Sequence, residues 1–211
     1  MTKSSNKAEF PKSTTQRLDA FSDGVFAIVI TLLVLELRVP EVHGEHLSQE
    51  LWHGLTELLP KFISFVVSFI YVSIYWFNHH QLFHLVKRLD RGLFWMNSVF
   101  LMCLTFIPFP TALIGSYPHD RVAAACYGLA MMATAISFVI MKIYIKYSGR
   151  LRKAVPLSGA DTFYLSTGPL LYLTAAGIAF INAYAAVAIY VLVPIIYFFA
   201  GSTEDPDPES E

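Results

Sequence analysis

Charge is scarce in this sequence: Asp, Glu, Lys and Arg make up 15% of its 211 residues, against 55% hydrophobic residues. That balance excludes an ordinary soluble domain of this length and is the composition of a membrane protein. Net charge is nearly absent too, at −1, so there is no electrostatic footprint of a nucleic-acid partner. Cysteine is scarce; Cys103 and Cys126 both fall in apolar stretches, which implies no disulfide framework. No A-x-A-like cleavage site follows the first apolar segment, so no removable signal peptide is expected. No internal repeat is apparent.

What is present are apolar runs bounded by charges. Crossing about 30 Å of hydrocarbon takes roughly 20 mostly apolar residues. The first helix is expected from about Leu18 to Leu37. Residues 62–86, 92–119 and 122–141 carry no charged side chain and supply one span each, and 162–203 is long enough for two, with Asn182 as the turn. The fold class is therefore all-α, a polytopic membrane protein with six transmembrane helices per subunit. Three parts are expected: a basic N-terminal arm over 1–13, a six-helix transmembrane domain over 14–200, and an acidic, proline-punctuated tail over 201–211. Pro108 and Pro110 should end or bend the third span, and Pro169 and Pro194 should bend the last two.

Of the 15 Lys and Arg residues, all but Arg38, Lys61 and Arg121 fall in the N-terminal arm and the second and fourth connections. Basic residues are retained on the cytoplasmic side, so both termini should be cytoplasmic. On the outer side, Leu47, Leu51, Leu55 and Leu58 recur at helical spacing around Trp52, the pattern of a short amphipathic helix at the interface.

The first span, FSDGVFAIVITLLVLELRV, divides into two faces. At about 100° per residue, Gly24, Ile28, Leu32, Leu35 and Val39 lie within roughly 40° of one line, with Thr31 at its edge, while Ser22, Asp23 and Phe26 lie roughly 120° to 160° away. An ionisable group in a span is expensive and faces protein or water, so Asp23 is expected to be buried with partners for its oxygens. Trp76, Asn78, His79, His80, His84 and Asn97 are the candidates. A network there would hold the helix and leave the Ile-Leu stripe turned elsewhere.

Arg17, Phe21, Ser22 and Asp23 form an R-x-x-x-F-S-D motif, and with the W-x-x-H-H of Trp76, His79 and His80 and the W-x-N of Trp95 and Asn97 the sequence resembles bacterial members of the transmembrane protein 175 family of potassium channels. The resemblance implies a homotetramer whose pore is lined by the first helix of each subunit, in the plasma membrane, without a T-V-G-Y-G carbonyl filter, which this chain also lacks. It carries the constriction onto Ile28, Leu32 and Leu35, and a hydroxyl layer onto Thr31. The implied function is a potassium-permeable cation channel with a hydrophobic gate, K+ as the permeating ion, and the bilayer and further copies of the chain as its partners. Arg17, Phe21, Ser22, Asp23, Trp76, His79, His80 and Asn97 would form the motif and the network that positions the helix.

An enzyme is not expected. His80 and His84 have the spacing of a helical metal pair, but a membrane di-iron oxygenase takes about eight histidines from several boxes. The chain has 7, of which His43, His46, His53 and His119 lie toward the other face. No metal and no cofactor is expected; structural or pH-sensing roles suit His79 and His80 better. The alternative function is a secondary ion transporter, which would need intramembrane charges around a central site. Only Asp23 and Glu36 are available, both near helix ends. Two points stay open: how Arg17, on the stripe side of a straight helix, is accommodated, and whether Glu36 draws cations or pairs with Arg38 or Lys61.

Overall fold

Three of the helix starts are set by short polar side chains, those of Asp90, Asp120 and Asn182. In the computed structural model, which describes residues 12–41, 46–148 and 159–200, the helices are α1 (Lys12–Val34), α2 (Leu47–Glu57), α3 (Leu59–His84), α4 (Arg91–Phe106), α5 (Pro108–Ser116), α6 (Arg121–Tyr147), α7 (Gly159–Ala179) and α8 (Ala183–Ala200). Asp90 Oδ1 accepts from the Leu93 backbone N–H at 2.9 Å and so caps α4, while its Oδ2 accepts from the Tyr144 hydroxyl of α6 at 2.6 Å. Asp120 caps α6 through Ala123 at 2.9 Å. Asn182 is the turn between α7 and α8; its Oδ1 accepts from the backbone N–H groups of Tyr184 and Ala185 at 3.0 and 3.2 Å.

The expected tail over 201–211 and the arm up to residue 11 lie outside the described residues, as do His43, Glu45, Arg150, Arg152 and Lys153. Among the described residues, three helical segments are long and apolar enough to cross a membrane: α3, α4 with α5, and α6. Shorter apolar runs occupy Thr167–Ala179 in α7 and Ala183–Ile195 in α8. The first helix departs from its expected bounds at both ends, starting at Lys12 and closing at Val34. Hydropathy marks only the apolar part of a helix, whereas the hydrogen-bond ladder continues through the polar turn before it. At the other end, the Leu35 and Leu37 N–H groups bond back to Leu32 and Val34 at 3.2 and 3.0 Å and wind the helix down ahead of Pro40. The amphipathic α2 lies where its leucine spacing puts it, with Leu47, Leu51, Trp52 and Leu55 exposed.

The third span is interrupted at Ile107, as its prolines require. Pro108 has no N–H to offer the Leu104 carbonyl, which accepts instead from Ile107 at 3.1 Å. A chain of hydroxyls staples this break to its neighbours. Thr111 donates to the Ile107 carbonyl (2.8 Å), so its oxygen accepts from Ser68 of α3 (2.8 Å), whose oxygen in turn accepts from Tyr127 of α6 (3.0 Å). Each member has a partner, as groups buried away from water require.

α6 packs against α4, α5, α7 and α8 and meets them with buried small side chains, among them Ala123, Ala124, Gly128 and Ala135. Tyr190 of α8 lies across this surface. Its hydroxyl donates to the Ala124 carbonyl at 3.0 Å, and its own carbonyl accepts from Tyr71 at 2.9 Å. A Cβ on Gly128 would overlap the Tyr190 hydroxyl and stand 3.0 Å from the Ala176 Cβ. Gly128→Val is therefore expected to cost about 1–3 kcal/mol through overpacking, checked by denaturing the detergent-solubilised protein. A stability equal to the starting protein's would mean that Tyr190 is not fixed there.

Candidate pore-lining helix and its anchor

α1 packs against α3, α4 and α5 with one face only. Leu18, Ser22, Phe26, Val29 and Leu33, spaced three and four apart, are buried. The stripe opposite has no cover within the subunit: Ile28 is 59% exposed, Leu35 65% and Leu32 41%, against 0% for Val29. Gly24 and Thr31 are exposed on the same side. The Thr31 hydroxyl donates back to its own helix, 3.0 Å from the Ala27 carbonyl and 2.9 Å from that of Ile28, and its oxygen keeps lone pairs toward the open side. Arg17 and Phe21 also lie exposed on α1.

The buried face carries a directional chain of hydrogen bonds. Ser22 Oγ donates to the Leu18 carbonyl (2.9 Å) and accepts from Asn97 Nδ2 of α4 (3.0 Å). With its amide nitrogen so engaged, Asn97 presents Oδ1 to His79 Nε2 of α3 at 2.8 Å; His79 therefore carries its proton on Nε2. Ser22, His79 and Asn97 are all fully buried. The imidazole is enclosed by aromatic rings, stacked on Phe83 (centroids 4.2 Å apart) and Phe100 (5.8 Å) and edge-on to Phe26 (5.5 Å). Three helices are thus joined through three polar side chains in a dry setting, where hydrogen bonds are strong and their loss is costly.

Asp23 differs from its expectation. It is half-buried, and its Oδ1 accepts from Trp76 Nε1 at 2.9 Å; Trp76 stacks on His80. Asn78 donates to the Ile74 carbonyl of its own helix, and His79 and Asn97 serve Ser22. Neighbours in sequence face different directions on a helix, so burial falls on Ser22 and leaves Asp23 at the edge of the α1–α3 contact. Glu36 makes no ion pair with Arg38 or Lys61 among the described residues. One residue not singled out from sequence belongs with this group: Asp19, a turn before Asp23, with Oδ1 buried and unpartnered. Its i, i+4 spacing to Asp23 was the available signal.

Ser22→Ala is expected to cost about 1–3 kcal/mol, since it leaves the buried Asn97 amide N–H without an acceptor. Chemical denaturation in detergent checks this, and an unchanged midpoint would mean that Asn97 finds another partner.

The sequence model of the family described as endosomal/lysosomal potassium channel TMEM175 matches residues 17–108, a stretch that starts at Arg17 and contains the whole Ser22–Asn97–His79 chain. A protein of Streptomyces collinus named a potassium channel is 38% identical over 87% of this chain and 91% of its own length. One of Chamaesiphon minutus, also named a potassium channel, is 42% identical over 89% and 94%. The chain belongs to the TMEM175 family. A crystal structure of a lysosomal potassium-selective channel TMEM175 homolog from Chamaesiphon minutus superposes with a TM-score of 0.79 at 39% identity, covering 92% of this chain and 100% of that one. TMEM175 is a family of ion channels, and the chain is not an enzyme.

Proposed function

We propose that the chain is one subunit of a potassium-permeable cation channel of the plasma membrane. Six spans (α1, α3, α4 with α5, α6, α7 and α8) leave both termini cytoplasmic, and four copies surround a pore lined by α1. The observation that carries this reading is the uncovered stripe of Ile28, Leu32 and Leu35 on a helix whose other face is fixed by hydrogen bonds. An apolar stripe alone suits lipid equally well. Arg17 and Thr31, exposed on the same helix, make hydrocarbon a poor neighbour, and the relatives named potassium channels support the reading.

In this arrangement Ile28, Leu32 and Leu35 of four subunits form a dry constriction that gates by dewetting, since an ion must shed hydration to pass. Potassium holds its water less firmly than sodium, so the ring favours it modestly without coordinating carbonyls. The Thr31 oxygens, one residue before Leu32, offset part of the dehydration cost.

The test is ion flux into liposomes holding the purified protein. Downhill K+ flux without a coupled ion is expected, with cross-linking that stops at a tetramer. Saturable flux with fixed ion stoichiometry would overturn the reading in favour of a transporter, and absence of flux would overturn both.

A further inference from the structure

On the side of α1 turned away from the Ile28 stripe, Asp19 and Asp23 lie one helical turn apart and meet His80 of α3. One donor atom from each lies within 4.8 Å of the other two. Asp19 Oδ1 and His80 Nδ1 are buried and without a hydrogen-bond partner among the described residues. Such orphans are uncommon in proteins, because each forfeits its hydration for nothing in return. Their chemistry is that of two metal-ligating atoms.

The surrounding groups are arranged as they are around a metal. Trp76 Nε1 holds Asp23 Oδ1 at 2.9 Å and leaves the second oxygen available. His80 Nε2 is 3.0 Å from His84 Nε2. If Nδ1 of His80 is the bare nitrogen, its proton sits on Nε2 and is donated to His84, so the far nitrogen's hydrogen bond fixes the tautomer that ligation needs. Two carboxylates would balance a divalent ion. One imidazole beside carboxylates suits zinc-like ions, whereas Ca2+ and Mg2+ favour all-oxygen shells.

We propose that Asp19, Asp23 and His80 bind a divalent transition-metal ion of the zinc class and thereby tie α1 to α3. Ligand bonds of about 2.0–2.2 Å place donors roughly 3.5 Å apart, so the three side chains close inward by about an ångström on binding. A water completes the shell. The sequence expectation of no metal weighed His80 only with His84, without Asp19.

The test is calorimetric titration of Zn2+ into the full-length protein in detergent. One site per chain is expected; Asp19→Asn and His80→Ala should each weaken it at least tenfold, while His53→Ala, remote on α2, should leave it unchanged. Unchanged affinity in a monodisperse Asp19→Asn variant, or loss confined to His53→Ala, overturns the proposal. X-ray absorption of the Zn2+-loaded unaltered protein keeps the test open if a variant misfolds: a shell of one imidazole with oxygen donors is expected, and a sulfur-containing or several-imidazole shell would rule the site out.

Discussion

Ile28→Asn is expected to raise K+ conduction by about tenfold or more, the equivalent of removing ~1.4 kcal/mol from the permeation barrier, and to bring the K+/Na+ permeability ratio close to one. Ile28 is among the most exposed residues of α1 within a subunit, so a polar side chain there disturbs no packing of the fold. Placed around the proposed pore axis, four amides would wet the narrowest layer and replace lost hydration for either cation. Bilayer recordings of both ions measure the effect, and an unaltered permeability ratio would dismiss Ile28 as the selective layer. Val29→Asn is the contrasting variant. Its position is fully buried, so an amide there is expected to destabilise the subunit.

Asn97→Leu is expected to be the most damaging single change in the anchor. It strands Ser22 Oγ as an acceptor and His79 Nε2 as a donor, both inside the fold. At about 1–3 kcal/mol for each orphaned group, the loss is on the order of 2–6 kcal/mol. Replacing the whole chain of partners by apolar groups, as Ser22→Ala/His79→Phe/Asn97→Leu, should recover most of it, because no polar atom is then left unpaired. Denaturation of the solubilised protein compares the two. Equal stability of Asn97→Leu and the unaltered protein would remove the anchor from the account of α1.

Much of the fold could be read along the chain because its signals are local. Asn182 as a turn, Pro108 as the break in the third span, and the leucines of α2 all act through backbone or periodicity within a few residues. The two faces of α1 follow in the same way from helical geometry. Less visible was which polar residue would be sealed. Ser22 and Asp23 are adjacent, and only the angle at which α3 and α4 approach α1 gives Asn97 to the serine and Trp76 to the aspartate. Asp19 shared that difficulty, since the burial of its oxygen depends on the neighbouring helix. The Tyr127–Ser68–Thr111 chain joins residues far apart in sequence, and no local pattern announces such a pairing.

The bonds that hold α1 are unevenly distributed along it. Side-chain hydrogen bonds to other helices are made at Ser22 and Asp23, whereas the later turns are held by Phe26, Val29 and Leu33 through apolar contact. Hydrogen bonds fix direction and register; apolar contacts resist separation but tolerate sliding and rotation. In a helix that runs Lys12–Val34, this clamp lies near the middle, and the turns beyond it that carry Thr31 and Leu32 have no directional bond to a neighbouring helix among the described residues. A small tilt about the clamp would swing Thr31 and Leu32 while leaving the Ser22–Asn97 joint nearly stationary.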